Sequence, residues 1–280
     1  MQAVGRLKAL PLQRANPFPL AVARVGVGLA ALLSTIEVNA GLRALQNADL
    51  LKLPRIDALP QVTASGIAAF LGAWILAAVA FSAGWHTRPA GGVLLALQVY
   101  ILLVDQQLYS NHFYLLALLT LLLTLAQSGA VLSLDARRSG PAGSIPAWPV
   151  ALIRLQVSIV YGFAVAAKLN LYFLSGVVLR IQMKVPGFEH LPPWVFMLLA
   201  LASLATEAFL AVAFWNKRLR PLAFVVGVGF HLTILATMRI LPDLLTFALL
   251  MGSAYLAFFS SIEPGPAGRR ESKANSQATV

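Results

Sequence analysis

Long apolar runs recur along almost the whole sequence and limit the folds that it can adopt. A transmembrane helix needs about 20 consecutive, mostly apolar residues, and seven or eight such runs are present. They cover residues 19–42, 66–85, 91–109, 112–134, 148–170, 194–215, 221–240 and 243–262. With 59% hydrophobic residues, 11% charged residues and a mean hydropathy of +0.79, a water-soluble domain is excluded. The sequence predicts an all-α integral membrane protein, a polytopic bundle of about eight helices.

The segment between the fifth and sixth runs differs from its neighbours. Residues 171–193 are partly apolar, but Arg180, Lys184 and three prolines interrupt them. Because such a segment is too polar and too broken for a regular span, we expect it to be interfacial or re-entrant. The predicted organisation is a cytoplasmic basic tail at 1–16, a transmembrane domain at 17–262 and a disordered cytoplasmic tail at 263–280.

The basic residues predict an orientation. If the amino terminus lies inside, the loops on that side carry twice as many Lys and Arg residues as the opposite loops. We therefore expect a multi-pass protein of the cell (inner) membrane with both termini in the cytoplasm. The net charge of +11 does not indicate a nucleic-acid partner, because the basic residues flank apolar runs. The absence of cysteine excludes disulfides, thiolate nucleophiles and cysteine metal sites.

Ionisable residues inside the apolar runs are candidates for function, since each costs free energy in a membrane unless it is paired or hydrated. With the orientation above they fall into two layers. The layer nearer the cytoplasm contains Arg24, Arg154 and Glu207. We expect these three to be structural and to form Arg–Glu ion pairs between helices.

The second layer lies nearer the outer face. It contains Glu37, Asp105, Asn111, His112, Lys168, Asn170, His231, Arg239 and Asp243. Asp105, Tyr109 and His112 are spaced four and then three residues apart, so they share one face if the third helix continues that far. Tyr161 and Lys168 share a face of the fifth helix by the same reasoning.

Two interpretations of this layer stay open at the level of the residues. Taken singly, Lys168 reaches for water, Asn111 and His112 cap a helix, and His231 bonds to a backbone group. Taken together, polar residues at one depth on several helices form a pocket that opens outward, and Gly227 and Gly229 allow close packing around it.

Such a pocket could support several chemistries. Desolvation favours the neutral amine of a lysine, which is a general base, and a histidine can donate a hydrogen bond to an oxyanion. A metal held by His112, His231 and Asp105 is a weaker alternative, because the HExxH and HxH spacings are absent. Proton or ion transport through the same residues is a further alternative, although no inverted repeat is apparent.

Four stretches of the sequence resemble successive motifs of one membrane protein family. They are DQQLYSNHFYLLALL at 105–119, LSLD at 132–135, YGFAVAAKLNLYFLSG at 161–176 and TEAFLAVAFWNKRLRPLAFVVGVGFH at 206–231. The family is the HTTM (horizontally transferred transmembrane) domain family, which includes the membrane domain of vitamin K-dependent gamma-glutamyl carboxylase. The resemblance covers roughly residues 15–262.

The resemblance implies chemistry on a reduced quinone. In the carboxylase a lysine base deprotonates vitamin K hydroquinone, and the family's Lys-Leu-(Asp/Asn) motif matches Lys168 to Asn170. The catalytic residues implied are Lys168 as the base, His112 as the partner of the quinol oxygen, and His231. The expected substrate-binding residues are Asp105, Tyr109, Asn111, Tyr114, Tyr161 and Asn170.

The expected function is that of a quinol- or lipid-directed oxidoreductase, similar to an epoxidase. A reduced, vitamin K-like quinone is the expected substrate, and no resident metal is expected. Protein gamma-carboxylation is not expected, because no counterpart of the carboxylase's large lumenal domain follows the last run. The alternatives are a non-catalytic membrane protein that binds a lipid or a partner protein and, third, a transporter.

Overall fold

The computed structural model describes residues 13–47, 49, 51–238 and 242–264 of the chain. The helices, named α1 to α12, are Phe18–Leu33, Thr35–Ala44, Ile67–Ala83, Thr87–Val104, Asn111–Leu125, Leu134–Ser139, Trp148–Lys168, Leu171–Leu174, Val177–Gln182, Pro193–Ala213, Arg220–Thr237 and Pro242–Tyr255. Short 3₁₀ helices occupy Gln106–Leu108, Phe188–His190 and Leu256–Phe259. The strands are β1 (Gln13–Ala15), β2 (Ile145–Pro146) and β3 (Ile262–Pro264).

Six helical segments of the described chain are long and apolar enough to cross a membrane. They are Phe18–Ala44 (α1 with α2), α4, α7, α10, α11 and Pro242–Phe259 (α12 with its 3₁₀ extension). The apolar helices α3 and α5 are shorter, with 17 and 15 residues. The chain is therefore a mostly helical, multi-pass membrane protein. The count of eight spans stays a prediction, because α3 and α5 fall below the roughly 20 residues that a crossing needs.

Helix α1 lies at the centre of the bundle, with α3, α5 and α12 packed against it. Its small residues Ala30 and Ala31 are completely buried and let the neighbouring backbones come close. Trp74 of α3, also completely buried, donates its indole N–H to the Ala31 carbonyl at 2.7 Å. Helix α7 packs on α10, and α11 packs on both α10 and α12. These four helices surround the side chains that form the candidate site.

A small sheet joins the two chain ends at one end of the bundle. Strand β1 pairs antiparallel with both β2 and β3, so that Arg14 lies opposite Pro146 on one side and Glu263 on the other. Helix α7 starts directly after β2, and its 21 residues extend about 30 Å. Lys168, the last residue of α7, therefore lies at the opposite end of the bundle from the sheet. We call the two ends the sheet end and the Lys168 end.

The third apolar run does not stay helical as far as Tyr109. Helix α4 ends at Val104, and Asp105 adopts an extended conformation from which the 3₁₀ helix starts. Helix α5 begins after Ser110, whose hydroxyl accepts a hydrogen bond from the Phe113 N–H. The expected common helical face of Asp105, Tyr109 and His112 is therefore wrong, since a capped turn separates the first from the last.

Residues 171–193 fold as short helices beside the bundle. Helices α8 and α9 pack on α10 and form a small second core around Phe173, Leu179 and Phe196. Gly176 permits this packing, because a Cβ there would lie 2.4 Å from the backbone of Phe196 and because its φ of +78° favours glycine. Whether the segment is interfacial or re-entrant stays a prediction. The expected tails and Arg239 fall mainly or wholly outside the described residues.

Candidate functional site

The two arginines expected in the cytoplasmic layer, Arg24 and Arg154, bind backbone carbonyls and not carboxylates. Arg24 is completely buried and donates to the carbonyls of Ser128 and Leu132 at 2.8 and 2.7 Å. Arg154 donates to two carbonyls at the end of the last 3₁₀ helix, those of Ala257 and Ser260. The expected Arg–Glu ion pairs are therefore wrong. Backbone carbonyls outside the long helices, in the loop between α5 and α6 for Arg24 and at the end of the last 3₁₀ helix for Arg154, offer a buried guanidinium several acceptors, so no carboxylate is needed.

Asp135, from the LSLD motif, fixes the start of α4 at the sheet end of the bundle. Its carboxylate accepts the backbone N–H groups of His86 and Thr87, both at 2.8 Å, and the Thr87 hydroxyl at 2.7 Å. Burial raises the pKa of this carboxyl, but the hydrogen bonds from Thr87 and His86 outweigh that effect and hold the pKa below its usual range. The LSLD motif thus supports the fold at the sheet end, away from Lys168.

Asp105 is a buried structural residue at the Lys168 end. One carboxylate oxygen accepts the Leu53 N–H at 2.8 Å and the other accepts the Gln107 N–H at 2.9 Å. Both oxygens therefore hold loops together, and this arrangement does not resemble a ligand site. Tyr109 and Tyr114 are about half exposed, and their rings lie 6.5 Å apart. The expected substrate-binding role of Tyr109, Asn111 and Tyr114 stays a prediction.

His112 forms an ion-pair geometry with a carboxylate from the end of the first span. Its Nε2 lies 2.8 Å from Oε2 of Glu37 and 3.3 Å from the Ser110 hydroxyl. The other oxygen of Glu37 is buried and has no hydrogen-bond partner among the described residues. The pair joins α2 to the first residues of α5, and the second carboxylate oxygen of Glu37 can still accept a hydrogen bond.

Lys168 points along its helix into the protein. Helical side chains lean toward the helix amino terminus, and the Lys168 amine accordingly lies 2.6 Å from Oε1 of Glu207 on α10. The amine also lies 5.3 Å from the ring centre of Phe173 and 6.0 Å from that of Phe230. The lysine side chain is 25% exposed, whereas that of Glu207 is 6% exposed. Lys168 is thus an accessible cation backed by a buried anion, and it does not extend into water at the helix end.

Glu207 was expected in the structural layer, but it belongs to the Lys168 cluster. Its second oxygen, Oε2, is buried and has no hydrogen-bond partner among the described residues. Asn170, two residues after Lys168, caps α8 by accepting the Phe173 N–H and donating to the Ala167 carbonyl. Asn170 therefore shapes the turn that brings the Phe173 ring to the amine.

The side chains of Tyr161 and His231 meet deeper in the bundle, two turns of α7 before Lys168. The Tyr161 hydroxyl shares a 3.1 Å hydrogen bond with His231 Nε2 and a second, short hydrogen bond with the Tyr255 hydroxyl. All three side chains are buried. Gly227 makes room for them, because a Cβ there would lie 2.9 Å from the Tyr255 ring. The predicted close packing at Gly227 is confirmed, whereas Gly229 faces open space.

The structure brings together some of the predicted residues and separates others. Tyr161 and Lys168 lie two turns apart on α7, and Phe230, in contact with Lys168, directly precedes His231. His112 shares the Lys168 end of the bundle, but no hydrogen bond, ion pair or ring contact joins it to Lys168 within the described residues. The three predicted catalytic residues therefore have separate partners: His112 pairs with Glu37, Lys168 pairs with Glu207, and His231 bonds to Tyr161.

An apolar groove approaches the Lys168 cluster between α9, α10 and α11. We call it the Phe230 groove; its volume is about 300 Å³. Phe230 lines the groove, and its ring centre lies 6.0 Å from the Lys168 amine; Thr206, which also lines the groove, directly precedes Glu207. The Thr206 hydroxyl donates to the Ala202 carbonyl of its own helix, so the wall presents mainly carbon to a ligand. The groove therefore suits an apolar chain, and it lies next to the Lys168 cluster without including Lys168 in its lining.

Comparison with known protein families agrees with the motifs on these helices. The sequence model of the HTTM domain matches residues 12–260. The chain belongs to the HTTM family. No solved structure matches this HTTM chain. No group of three or more His, Asp or Glu side chains that could hold a metal occurs among its described residues.

Two residues of the site, Tyr255 and Glu207, were not predicted correctly from the sequence. Tyr255 was not singled out, although a tyrosine in a long apolar run is itself a signal, since its hydroxyl needs a partner there. The backbone of Glu207 lies in one half of its apolar run and that of Lys168 near the opposite end of its own run, so the two residues were expected in different layers. A lysine side chain that leans back along its helix reaches a carboxylate located deeper in the bundle.

Proposed function

We propose that this HTTM protein is a membrane-embedded oxidoreductase of a quinol or a similar phenolic lipid, with the Lys168–Glu207 pair as the proton acceptor. The observation that carries the proposal is the 2.6 Å contact between a partly exposed lysine and a buried glutamate beside an apolar groove. The family resemblance supports it independently, since it aligns Lys168 with a base that deprotonates a hydroquinone.

The pair extends the role expected for the lysine alone. A lysine held as an ammonium ion by a carboxylate has no lone pair to receive a proton. The Lys168–Glu207 pair as a whole is neutral and can still accept one proton, which ends on the carboxyl. The ammonium ion then faces the quinolate that has formed. No uncompensated charge arises in the apolar surroundings at any point, which keeps the cost of the transfer low.

Proton removal prepares the lipid for oxidation. A quinolate gives up electrons more readily than a quinol, so molecular oxygen dissolved in the membrane can act as the electron acceptor. The aromatic rings of Phe173 and Phe230 beside the amine suit a planar head group, and they also stabilise the ammonium ion through cation–π contacts. The role of His112 as the partner of the quinolate oxygen stays a prediction that rests on the family resemblance.

We place the protein in the cell (inner) membrane with both termini in the cytoplasm and the Lys168 end outside. The distribution of basic residues supports this orientation. The pairing of β1 with β3 is compatible with it, since that contact requires residues 13–15 and 262–264 to lie on one side.

The alternative is a non-catalytic protein that binds a lipid. The same ion pair is compatible with this alternative, because a buried ion pair between α7 and α10 can fix how the two helices pack without taking part in a reaction. The two functions differ in whether a folded protein that lacks the pair still acts on quinol.

The test is oxygen-dependent oxidation of a reduced isoprenoid naphthoquinone by purified protein in liposomes. Wild type is compared with Lys168→Met, Glu207→Gln and the double variant Lys168→Met/Glu207→Leu, in which an apolar pair replaces the ion pair. Lys184→Met is the matched control, since Lys184 is exposed and, among the described residues, its amine donates only to the Ile181 carbonyl of its own segment.

We expect Lys184→Met to oxidise quinol at the wild-type rate and the double variant to be slower by about a hundredfold or more, as for the loss of a general base. Equal rates for the wild type and the folded double variant would exclude catalysis by the pair and support the alternative.

A further inference from the structure

A second groove opens on the other side of α11. We call it the His231 groove; it lies between α1, α11 and α12 and has a volume of about 450 Å³. Because Phe230 and His231 are consecutive residues of one helix, they point in different directions. Phe230 accordingly lines the first groove and His231 lines the second. The two grooves are therefore separate, with α11 as the wall between them.

The lining of the His231 groove is apolar apart from three side chains. Ser253 donates its hydroxyl to the Leu249 carbonyl of its own helix, and the Tyr255 hydroxyl is bonded to Tyr161. His231 is only 6% exposed and uses Nε2 for Tyr161. Its other ring nitrogen, Nδ1, makes no hydrogen bond to any described residue. The groove thus contains one buried polar side chain with a hydrogen-bonding atom to spare.

The charge of the lining restricts the ligand. No charged side chain is among the described residues that line this groove. A phosphate or ammonium head group would lose its hydration there without a counter-charge, which is unfavourable. A lipid with an uncharged head avoids that cost, and its chain matches the aliphatic walls.

The histidine restricts the ligand further. Which nitrogen of His231 carries the proton depends on how Tyr161 and Tyr255 share their hydroxyl protons, so Nδ1 is a donor in one arrangement and an acceptor in the other. A hydroxyl group can satisfy either form, because it both donates and accepts. A carbonyl or ether oxygen only accepts and satisfies one form.

We propose that the His231 groove binds one uncharged lipid through a single hydroxyl group, which bonds to His231 Nδ1 while the chain lies between α1 and α12. This site is independent of quinol chemistry at Lys168.

Two glycines provide a matched pair of variants. Gly252 lines the groove, and Gly229 on α11 does not. A Cβ at either position meets no atom within 4 Å. The first side-chain atom of a leucine therefore meets no clash at either position, and the change raises helix propensity equally at both, but only Gly252→Leu fills the groove.

The experiment uses a diacylglycerol that carries a diazirine in one acyl chain, with the protein in phosphatidylcholine nanodiscs. Illumination is followed by mass spectrometry of the labelled peptides. We expect labelling of residues 242–255 that unlabelled diacylglycerol suppresses. Gly252→Leu and His231→Leu each lower this labelling about tenfold, the effect of a lost hydrogen bond or of a blocked site, whereas Gly229→Leu leaves it unchanged.

Two results would overturn the proposal. One is labelling that unlabelled diacylglycerol does not suppress, or that a phosphatidylcholine with the same diazirine reproduces, since both indicate lipid around the whole protein. The other is equal labelling of Gly252→Leu and Gly229→Leu. If Gly252→Leu lowers the unfolding temperature, Leu29→Trp closes the same groove from α1 and must produce the same loss.

Discussion

Replacing Lys168 by methionine removes the only hydrogen-bond partner that the buried carboxylate of Glu207 has among the described residues. The Glu207 side chain is 6% exposed, and its second oxygen already lacks a hydrogen-bond partner among the described residues. Removing one member of a buried ion pair costs about 3–5 kcal/mol. Since the Lys168 side chain is 25% exposed, we expect a value near the lower limit, about 3 kcal/mol of unfolding free energy.

The reverse change is milder. In Glu207→Leu the partly exposed ammonium ion can turn to water, and we expect a loss of about 1 kcal/mol. The double variant Lys168→Met/Glu207→Leu contains no buried charge, and we expect it to lie within about 1 kcal/mol of wild type. The double-mutant cycle then gives a coupling free energy of about 3–4 kcal/mol.

The assay is equilibrium unfolding of the four proteins in mixed dodecylmaltoside and dodecyl sulfate micelles, followed by circular dichroism. Lys184→Met serves as the control for the loss of an exposed lysine, with an expected change within about 0.5 kcal/mol. The reasoning is refuted if Lys168→Met is as stable as this control. It is also refuted if the double variant is as unstable as the two single changes added together.

Three further predictions concern residues around the site. Because the pKa of Asp135 is lowered in the folded protein, its hydrogen bonds stabilise the protein above about pH 4 and are lost as the pH falls through that lowered pKa. Melting curves between pH 3 and 7 will therefore show a smaller acid-induced decrease in unfolding temperature for Asp135→Asn than for wild type. Arg154→Met removes the guanidinium donor from two buried carbonyls, so that Ala257 keeps only the Ser260 N–H at 3.3 Å among the described residues, and we expect a loss of about 2 kcal/mol in the micelle unfolding assay, with an unchanged midpoint as the contrary outcome. Gly227→Leu forces a side chain into the Tyr255 ring and will lower the unfolding temperature by more than Gly229→Leu; equal temperatures would contradict the packing.

The fold class and several site residues could be predicted because membranes penalise polar groups strongly. Apolar runs of span length identified the helices, and ionisable residues within them pointed to Lys168, His231 and Glu207 as unusual. The seven-residue spacing of Tyr161 and Lys168 correctly placed both side chains in the bundle, since one helix face carries them.

The partners of these residues could not be predicted in the same way. Arg24 and Arg154 were matched with a carboxylate because charges are visible in a sequence, whereas the carbonyls that they bind become available only where helices end. The end of α4 at Val104 was likewise hidden, because Asp105 follows an apolar run without a glycine or proline to mark the boundary. Side-chain direction decided the remaining case, since Lys168 reaches back along α7 to Glu207.

Proton transfer from a quinol to the Lys168–Glu207 pair is the central claim, and it can be measured without oxidation. A reduced isoprenoid naphthoquinone is mixed anaerobically with the protein in nanodiscs, and the ultraviolet difference spectrum reports the quinolate. We predict a quinolate spectrum with wild type and with Lys184→Met, and only the neutral quinol spectrum with Lys168→Met/Glu207→Leu. A bound quinol that stays neutral in the wild type, or an equal amount of quinolate in the double variant, would contradict the claim.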